Sequence, residues 1–505
     1  MTPIILATLN ARYFHSSLGL RYLMANMAEL QAGTEIREFI IDARPIDVAE
    51  KLLSGQPRII GLSLYIWNVE QTTQLVALLK EVSPQTTIVL GGPEVSFEHE
   101  RQPIVELADY VICGAADLEF AELCRELLAD RVPPQKIIHA IPFKLSQLKM
   151  PYYLYNDEDI KNRLIYVEAS RGCPFKCEFC LSALDKTARP FDQTLFLVEM
   201  QALYDRGARH FKFIDRTFNL KIKDSIRIME FFLERMSDDL FLHFELIPDH
   251  LPGALREMIQ CFPEGTLQFE VGIQSFNPEV QALISRKQDN QKSAENLSWI
   301  RNHSHAHIHA DLIIGLPGED VASFARGFNR LAALNPHEIQ VGILKRLRGT
   351  PLVRHTTEYD MRYNPNPPYN ILSTDRIDFP AMQRLNRFAR YWEMISNSGR
   401  FRKAMALVLT DNPFEGFIKL SDWLFAETGQ THRLALKRLF ELLHRYLTDE
   451  VGINSEVAID VLRQDHQASG LSSVPAFLIE QQSQQQKKST KRSLESRQAQ
   501  HRRIN

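Results

Sequence analysis

Short apolar runs alternate with amphipathic stretches over residues 1–140. Strands are predicted at Ile4–Leu9, Ile36–Ile41, Arg58–Tyr65, Thr86–Leu90 and Tyr110–Cys113. Helical periodicity is found at Leu18–Leu30, Val69–Val82 and Leu118–Leu128. Strands that alternate with helices form a parallel sheet covered on both faces. We therefore expect residues 1–140 to form a doubly wound, Rossmann-like α/β domain.

The same alternation returns between residues 155 and 355. Six strands are predicted at Arg163–Glu168, Phe211–Ile214, Phe241–Leu246, Leu267–Ile273, Ala310–Ile314 and Ile339–Leu344. In such strand–helix units, ligand-binding residues gather at the carboxyl ends of the strands. We expect a second α/β domain here, with its chemistry at those ends.

The pattern changes after Pro365-Asn366-Pro367-Pro368, where the prolines predict a linker. Helical periodicity follows, so residues 370–480 are predicted to form a helical domain. The predicted helices are Asp378–Ile395, Arg402–Val408, Phe414–Ala426 and Arg433–Tyr446. Residues 481–505 are rich in Gln, Ser, Lys and Arg, which predicts a disordered basic tail.

Composition limits the classes of protein to consider. A chain of 505 residues suggests about three domains, and 44% hydrophobic with 24% charged residues is ordinary for a globular protein. No apolar run reaches ~18 residues, so no membrane span is expected. The first apolar run lacks a preceding basic region, which predicts a strand and not a signal peptide.

The net charge of −3 is unevenly distributed. The tail holds seven Lys and Arg against one Glu, so the rest of the chain carries about −9. An acidic body argues against general nucleic-acid binding. Six cysteines, three of them clustered, do not form a disulfide framework. A reducing cytoplasm is therefore expected.

The clustered cysteines are Cys173, Cys177 and Cys180, with the spacing Cys-x3-Cys-x2-Cys. Three thiolates so close together can hold one iron–sulfur cluster. Structural zinc is the alternative, but it usually needs a second ligand pair further along the chain. The remaining cysteines are scattered singly, at positions 113, 124 and 261. A four-iron cluster with one iron left free of protein ligands is the favoured interpretation.

This spacing, with Phe179 just before the last cysteine, resembles the radical S-adenosylmethionine (radical SAM) enzymes. The resemblance implies a [4Fe-4S] cluster whose open iron chelates S-adenosylmethionine through its amino and carboxylate groups. Reductive cleavage then yields a 5′-deoxyadenosyl radical, with an electron from a donor such as a flavodoxin or ferredoxin. It also implies that the six strands form a partial (β/α)6 barrel.

Polar residues at the predicted strand ends follow the order that this resemblance implies. Asp215 occupies the place of a glycine-rich segment near the methionine moiety, although no glycine is present here. Gln274 and Ser275 would lie near the ribose and Gly315 beside the adenine, with Glu245 at the end of the third strand. A zwitterionic ligand with ribose hydroxyls needs several such placed polar groups.

Two further features stay open at this point. Arg286 pairs either with a carboxylate in the site or with a solvated surface partner. His303, His305, His307 and His309 alternate, which predicts one face of an extended segment. We expect these histidines to bind no metal specifically.

The first domain resembles the cobalamin-binding domain that often precedes a radical SAM domain. Ser63 at a strand end, with Gly91 and Gly92 after the next strand, carries this resemblance. The Asp-x-His-x-x-Gly motif that supplies a cobalt ligand in many cobalamin domains is absent. No Gly-x-Gly-x-x-Gly follows the first strand, so a dinucleotide is disfavoured. A Rossmann-like domain without cobalamin is the alternative.

The resemblance as a whole implies an enzyme that methylates or oxidatively cyclises an unknown small molecule. A tRNA methylthiotransferase is a rival, but such enzymes carry three further cysteines in the N-terminal domain. Only Cys113 and Cys124 are available there. A non-catalytic cobalamin or redox sensor is the rival from another class.

Overall fold

A computed structural model describes residues 2–479 of the chain, so the predicted tail at 481–505 lies outside the described residues. The first six strands form one parallel sheet in the order β2-β1-β3-β4-β5-β6. They are β1 (Ile4–Asn10), β2 (Thr34–Ile40), β3 (Ile59–Ser63), β4 (Thr87–Gly91), β5 (Tyr110–Cys113) and β6 (Ile137–His139). β6 was not predicted, because this edge strand has no buried residue to mark it.

Five helices connect these strands and cover both faces of the sheet. They are Leu18–Ala25, Pro45–Leu53, Val69–Val82, Pro103–Leu107 and Glu119–Leu128. The predicted helix Leu18–Leu30 ends at Ala25, and a 3-10 helix follows at Ala28–Gly33. Every residue of β1 is buried, as a central strand of a doubly wound sheet requires. The predicted Rossmann-like fold is confirmed.

The second sheet is also parallel, and its six strands pair in chain order. They are β7 (Ile165–Val167), β8 (His210–Phe213), β9 (Phe241–Leu246), β10 (Leu267–Gln274), β11 (His307–Ile314) and β12 (Glu338–Ile343). The helices beside them are Asp157–Asn162, Gln193–Asp205, Ile222–Leu233, Gly253–Gln260, Pro278–Leu283, Asn290–His303 and Val321–Ala333. Among the described residues β7 and β12 do not pair, which gives the predicted partial barrel.

The remaining described residues are mainly helical. The helices are Phe379–Ile395, Arg402–Leu409, Pro413–Thr428, Leu436–Arg445, Ser455–Ser469 and Ala476–Ile479. The Asn397 side chain donates to the Ile339 carbonyl at 3.0 Å and accepts from the Ile339 N–H at 3.1 Å. Asn397 thereby satisfies the outer edge of β12, which a partial barrel leaves unpaired.

A buried set of charges joins the first two domains. Arg21 pairs with Glu38 at 3.0 Å and with Asp159 at 2.7 Å. Arg163 reaches the same Glu38 carboxylate at 2.9 Å. Because buried charges are tolerated only when paired, these contacts fix helix Leu18–Ala25 and β2 against the entrance to the barrel.

The predicted row of histidines is only partly correct. His303 ends the helix Asn290–His303, so it cannot share an extended face with the others. His307 and His309 do lie in β11, and His309 is buried within 3.0 Å of Asp311 and 3.3 Å of Glu338. The helix Asn290–His303 extends as far as His303, so the alternation of histidines begins in a helix and continues into a strand.

No described helix has both the length and the apolar character needed to span a membrane.

Candidate cofactor sites

The three clustered cysteines face one cavity of about 210 Å³ at the carboxyl ends of the barrel strands. Cys173 and Cys177 are buried and Cys180 is partly buried. Phe179, Arg216, Glu245, Gln274 and Arg286 line the same cavity. The loop between β7 and the next helix therefore brings together residues that the sequence separates widely. We call this the cysteine cavity.

The loop is held tightly where it enters the cavity. Gly172 has φ +94°, and a Cβ added there would lie 2.3 Å from the Thr187 carbonyl, so only glycine fits. The Cys173 N–H donates to the Asp185 carbonyl at 2.9 Å. Burial raises the pKa of the Cys173 and Cys177 thiols. A coordinated metal lowers the pKa of a thiol and would offset this shift.

Three thiols that line one cavity fit an iron–sulfur cluster better than a single zinc ion. A tetrahedral zinc with Zn–S bonds of 2.3 Å would draw its sulfurs to within ~3.8 Å of each other. Among the described residues, no three His, Cys, Asp or Glu side chains are grouped closely enough to hold a single ion. In a four-iron cluster each thiolate binds a different iron, so wider spacing is expected. The donor set therefore fits a cluster.

Glu178, between the second and third cysteines, anchors this loop. Its buried carboxylate accepts hydrogen bonds from Arg354 at 2.8 Å and Ser285 at 2.5 Å, and contacts His355 at 2.9 Å. Its N–H donates to the Ile284 carbonyl at 3.0 Å, and its own carbonyl accepts from Leu352 N–H. One residue thus ties the cysteine loop to two other segments.

We expect Glu178→Ala to weaken retention of the cluster without removing a ligand. Losing these charge-assisted hydrogen bonds costs about 2–3 kcal/mol, and the loop carrying Cys177 and Cys180 is released. Iron extraction by a chelator should accelerate at least about tenfold. Glu126→Ala, which breaks an exposed pair with Arg131, should leave the rate unchanged. Equal rates in all three proteins would contradict this role for Glu178.

The opposite wall of the cysteine cavity is acidic. Glu245, Glu270 and Asp311 line it from three adjacent strands. Glu245 lies opposite Glu270 in the strand register, and Asp311 lies opposite Gly272. Burial raises the pKa of Glu245 and Asp311. This wall can accept hydrogen bonds from a cationic or hydroxyl-bearing ligand.

Two arginines balance these carboxylates. Arg216 pairs with Glu245 at 2.5 Å. Arg286 donates to the Gly272 carbonyl and lies 3.5 Å from the Cys177 sulfur. Arg286 also donates to the Gln288 side-chain oxygen at 2.9 Å, so none of these three hydrogen-bond partners is a carboxylate. Its positive charge favours the thiolate form of Cys177.

The structure separates the predicted ligand-binding residues into two groups. Phe179, Glu245 and Gln274 line the cysteine cavity, whereas Asp215, Ser275 and Gly315 do not. Ser275 donates to the buried Glu319 carboxylate at 2.6 Å. A Cβ at Gly315 would lie 2.6 Å from Ile371, so this glycine allows close packing of the linker.

Asp215 lies beneath the start of the cysteine loop. Its carboxylate accepts from the Ala169 N–H at 3.0 Å and from the Ser170 hydroxyl at 2.6 Å. It is 4% exposed, and burial raises its pKa to about 7. The Asp215 side chain therefore stabilises the backbone at the start of the cysteine loop.

This pKa predicts a pH dependence of stability. Between about pH 4, where Asp ionises in the unfolded chain, and pH 7, the folded protein retains a proton that the unfolded chain loses. The unfolding free energy contributed by Asp215 is therefore greatest below pH 4 and declines as the pH rises through this window. Asp215→Asn should lack this decline. From pH 5 to 8, the thermal midpoint of the mutant should therefore rise relative to that of the wild type. Parallel curves of midpoint against pH would contradict the assignment.

A second, larger cavity of about 330 Å³ opens at the carboxyl edge of the first sheet. Ser63, Gly91, Gly92 and Gly114 line it, together with apolar residues of helix Leu18–Ala25. Glu168 and Arg171, from the barrel, line its far side. The cavity thus lies between the two α/β domains, and we call it the glycine cavity.

The backbone around the glycine cavity is packed too closely for side chains at two positions. A Cβ at Gly61 would lie 2.8 Å from the Phe120 ring, and one at Gly92, with φ +107°, would lie 2.4 Å from the Leu64 carbonyl. Tyr22 also lines this cavity, but its hydroxyl is buried beside the Tyr152 hydroxyl. A cradle of closely packed glycines at the strand ends fits a sizeable ligand.

Two residues that follow β12 hold the loop after Gly92 in place. Buried Glu94, two residues after Gly92, accepts from Arg348 at 2.8 Å and from the Tyr369 hydroxyl at 2.8 Å. These partners lie about 250 residues away in the chain, so no local pattern indicated the contact.

The sequence pattern does not single out Glu270, Asp311 and Arg216 as cavity residues. The alternation of side chains along a strand indicates in part which residues face the cavity. Glu270, Gly272 and Gln274 share one face of β10, as His309 and Asp311 share one face of β11. The register that aligns these faces is known only from the structure.

Family models match three parts of the chain. The B12 binding domain matches residues 4–124, and the Radical SAM superfamily matches residues 167–330. A model described as a protein of unknown function (DUF4080) matches residues 357–505. The two cavities are lined mainly by residues of the first two matches.

Two curated relatives are similar over the N-terminal and barrel regions. The 2-(S-pantetheinyl)-carbapenam-3-carboxylate methyltransferase of Streptantibioticus cattleyicolor is 24% identical over 58% of this chain and 48% of its own length. The cobalamin-dependent radical SAM methyltransferase TokK of Streptomyces tokunonensis is 23% identical over 57% and 47%. The chain thus matches about half the length of these relatives.

The fold as a whole is found in a solved structure. The cobalamin-dependent S-adenosylmethionine radical enzyme OxsB, with aqua-cobalamin and S-adenosylmethionine bound, aligns over 94% of this chain and 82% of its own. The TM-score is 0.61 at 13% identity, a likeness of fold. The chain therefore carries a region that matches the Radical SAM superfamily, preceded by a region that matches the B12 binding domain and followed by a region that matches DUF4080.

Proposed function

We propose that this protein is a cobalamin-dependent radical SAM enzyme of the methyltransferase type. The observation that carries the proposal is the shared wall between the two cavities. The segment from Glu168 to Cys173 lines the glycine cavity at one end and the cysteine cavity at the other. Two cofactors bound in these cavities would be neighbours, as transfer between them requires.

Cys173, Cys177 and Cys180 would hold the [4Fe-4S] cluster, and Arg286 would stabilise the Cys177 thiolate. When bound, the cluster supplies one electron for cleavage of S-adenosylmethionine. Glu245, Gln274 and Asp311 would accept hydrogen bonds from the amino and hydroxyl groups of that ligand, and Arg216 would orient Glu245. Phe179 and Ala183 cover the cysteine side of the cavity and limit access of water.

Cobalamin would bind in the glycine cavity. Gly91, Gly92 and Gly114 allow the ligand to approach the strand ends. Ser63 would contribute a polar residue there, and Tyr22 would contribute its ring. No His, Cys or Met is among the described residues that line this cavity, so its walls would leave the cobalt without a protein ligand.

The rival functions are less well supported. A methylthiotransferase needs cysteine ligands for a second cluster, yet Cys113 and Cys124 are buried in the first domain at opposite faces of the sheet. Oxidative cyclisation uses the same cofactors and is the second candidate reaction. A sensor has no need of the acidic wall opposite the cysteines.

The proposal includes a one-electron donor such as a flavodoxin or ferredoxin, a small-molecule substrate and a reducing compartment such as the cytoplasm. Six free cysteines agree with such a compartment. Separate domains would span residues 1–140, 155–355 and 370–480.

The reaction type is tested with S-adenosylmethionine that carries a deuterated methyl group. Reconstituted protein, cobalamin and a low-potential reductant are incubated anaerobically with metabolite extract. A new product that is three mass units heavier than its unlabelled counterpart supports methyl transfer. A product that has lost two hydrogens and gained no label would show that the reaction is cyclisation and not methyl transfer.

A further inference from the structure

Arg171 lies in the wall that the two cavities share. It lines the glycine cavity, and only Gly172 separates it from the cluster ligand Cys173. Its side chain is 20% exposed, whereas its two carboxylate partners are 10% exposed or less. Glu168, which directly follows β7, is the other residue of this segment that lines the glycine cavity.

The guanidinium of Arg171 connects the two α/β domains. It pairs with Asp117, which follows β5 of the first sheet, at 3.0 and 3.1 Å. It pairs with Glu168, at the end of β7, at 2.6 Å. It also lies 4.8 Å from the centre of the Tyr22 ring, a favourable cation–π distance. Asp117, Glu168 and Tyr22 all line the glycine cavity.

The backbone leaves little freedom between Arg171 and Cys173. Ser170 and Arg171 pair with Arg189 and Pro190 as a short antiparallel ladder, and Gly172 packs against the Thr187 carbonyl. A ligand that displaces Asp117 or Tyr22 would therefore move the guanidinium of a residue whose backbone is paired on one side and packed against Thr187 on the other. The contact is suited to transmitting binding at one cavity to the other.

We propose that Arg171 is a positioning residue that couples cobalamin binding to the cluster loop. The inference rests on the proposed function. Because coupling between two sites is reciprocal, the cluster should change the affinity for cobalamin by the factor by which cobalamin changes retention of the cluster. In the wild-type protein we expect a factor of at least about 5.

The test compares the dissociation constant of hydroxocobalamin before and after cluster reconstitution. Arg171→Lys keeps the charge, but a point charge cannot hold both carboxylates in the geometry of a planar guanidinium. Arg171→Met removes the charge and serves as the second variant. Arg163→Met is the matched control, since Arg163 also joins the two domains, pairs with buried Glu38 and lies 4.8 Å from a tyrosine ring. Arg163 lines neither cavity.

The ratio of the two dissociation constants should fall to about 1 in both Arg171 variants and stay at the wild-type value in the control. The spectrum of the reduced cluster in electron paramagnetic resonance should respond to hydroxocobalamin in wild type and control only. A wild-type ratio of 1, an unchanged ratio in Arg171→Lys, or an equal loss in Arg163→Met would overturn the inference. If wild-type protein binds no corrinoid at all, the proposed function fails as well.

Discussion

Replacing Cys173, Cys177 and Cys180 together by alanine should abolish iron binding and S-adenosylmethionine cleavage. The three sulfurs are the only cysteines among the described residues that line the cysteine cavity, so no neighbouring thiol can substitute. A cluster with fewer than three thiolates loses its geometry and its site for the ligand. Iron content, the absorbance of the cluster and formation of 5′-deoxyadenosine should all fall to background.

The control for this variant is Cys261→Ser, which changes an exposed thiol at the end of helix Gly253–Gln260. It should keep the full iron content and the wild-type rate of cleavage. If the triple variant retained cluster absorbance, or if Cys261→Ser lost it, the assignment of the ligands would be wrong.

Replacing Gly91 by phenylalanine should abolish cobalamin binding and spare the cluster. Gly91 lines the glycine cavity, and a Cβ added there meets nothing closer than the Ile112 carbonyl at 3.9 Å. The backbone thus accepts a side chain, and a phenyl ring would occupy space that the ligand needs. We expect affinity for hydroxocobalamin to fall at least about 100-fold, or ~2.7 kcal/mol. Equilibrium dialysis measures this change.

Gly91→Ala is the matched control, because a methyl group fits at ordinary contact distance. It should bind cobalamin within a few fold of wild type. Both variants should still assemble the cluster and form 5′-deoxyadenosine, since neither changes a residue of the cysteine cavity, and loss of cobalamin should lower the affinity for the cluster by no more than the coupling factor between the two sites. Equal affinity in the phenylalanine and alanine variants would place cobalamin elsewhere.

Much of the fold follows from the hydrophobic pattern. The bounds of β5, β9 and the helix Val69–Val82 are as predicted, because buried strands and amphipathic helices leave a strong local signal. β6 and the helix Pro45–Leu53 were missed. β6 is a short edge strand, and this helix begins at Pro45, inside a stretch that had no assigned element.

The candidate sites were predictable only in part. The cysteine spacing predicts a cluster loop, because the three cysteines are local in sequence, and all three line one cavity. The acidic wall depends on the register of three strands, and the Glu94–Arg348 contact joins two domains. For Asp215, the position was predictable but the direction of the side chain was not. It follows a strand end as expected, but its carboxylate turns under the loop to satisfy two donors.

We expect this chain to cleave S-adenosylmethionine at its cluster and to bind cobalamin in the neighbouring cavity. The most direct measurement is anaerobic reconstitution with iron, sulfide and hydroxocobalamin, followed by reduction with S-adenosylmethionine present. The account predicts one corrinoid per chain, the iron of one four-iron cluster and 5′-deoxyadenosine that depends on the reductant. Protein that holds a full four-iron cluster but forms no 5′-deoxyadenosine and retains no corrinoid would contradict this expectation.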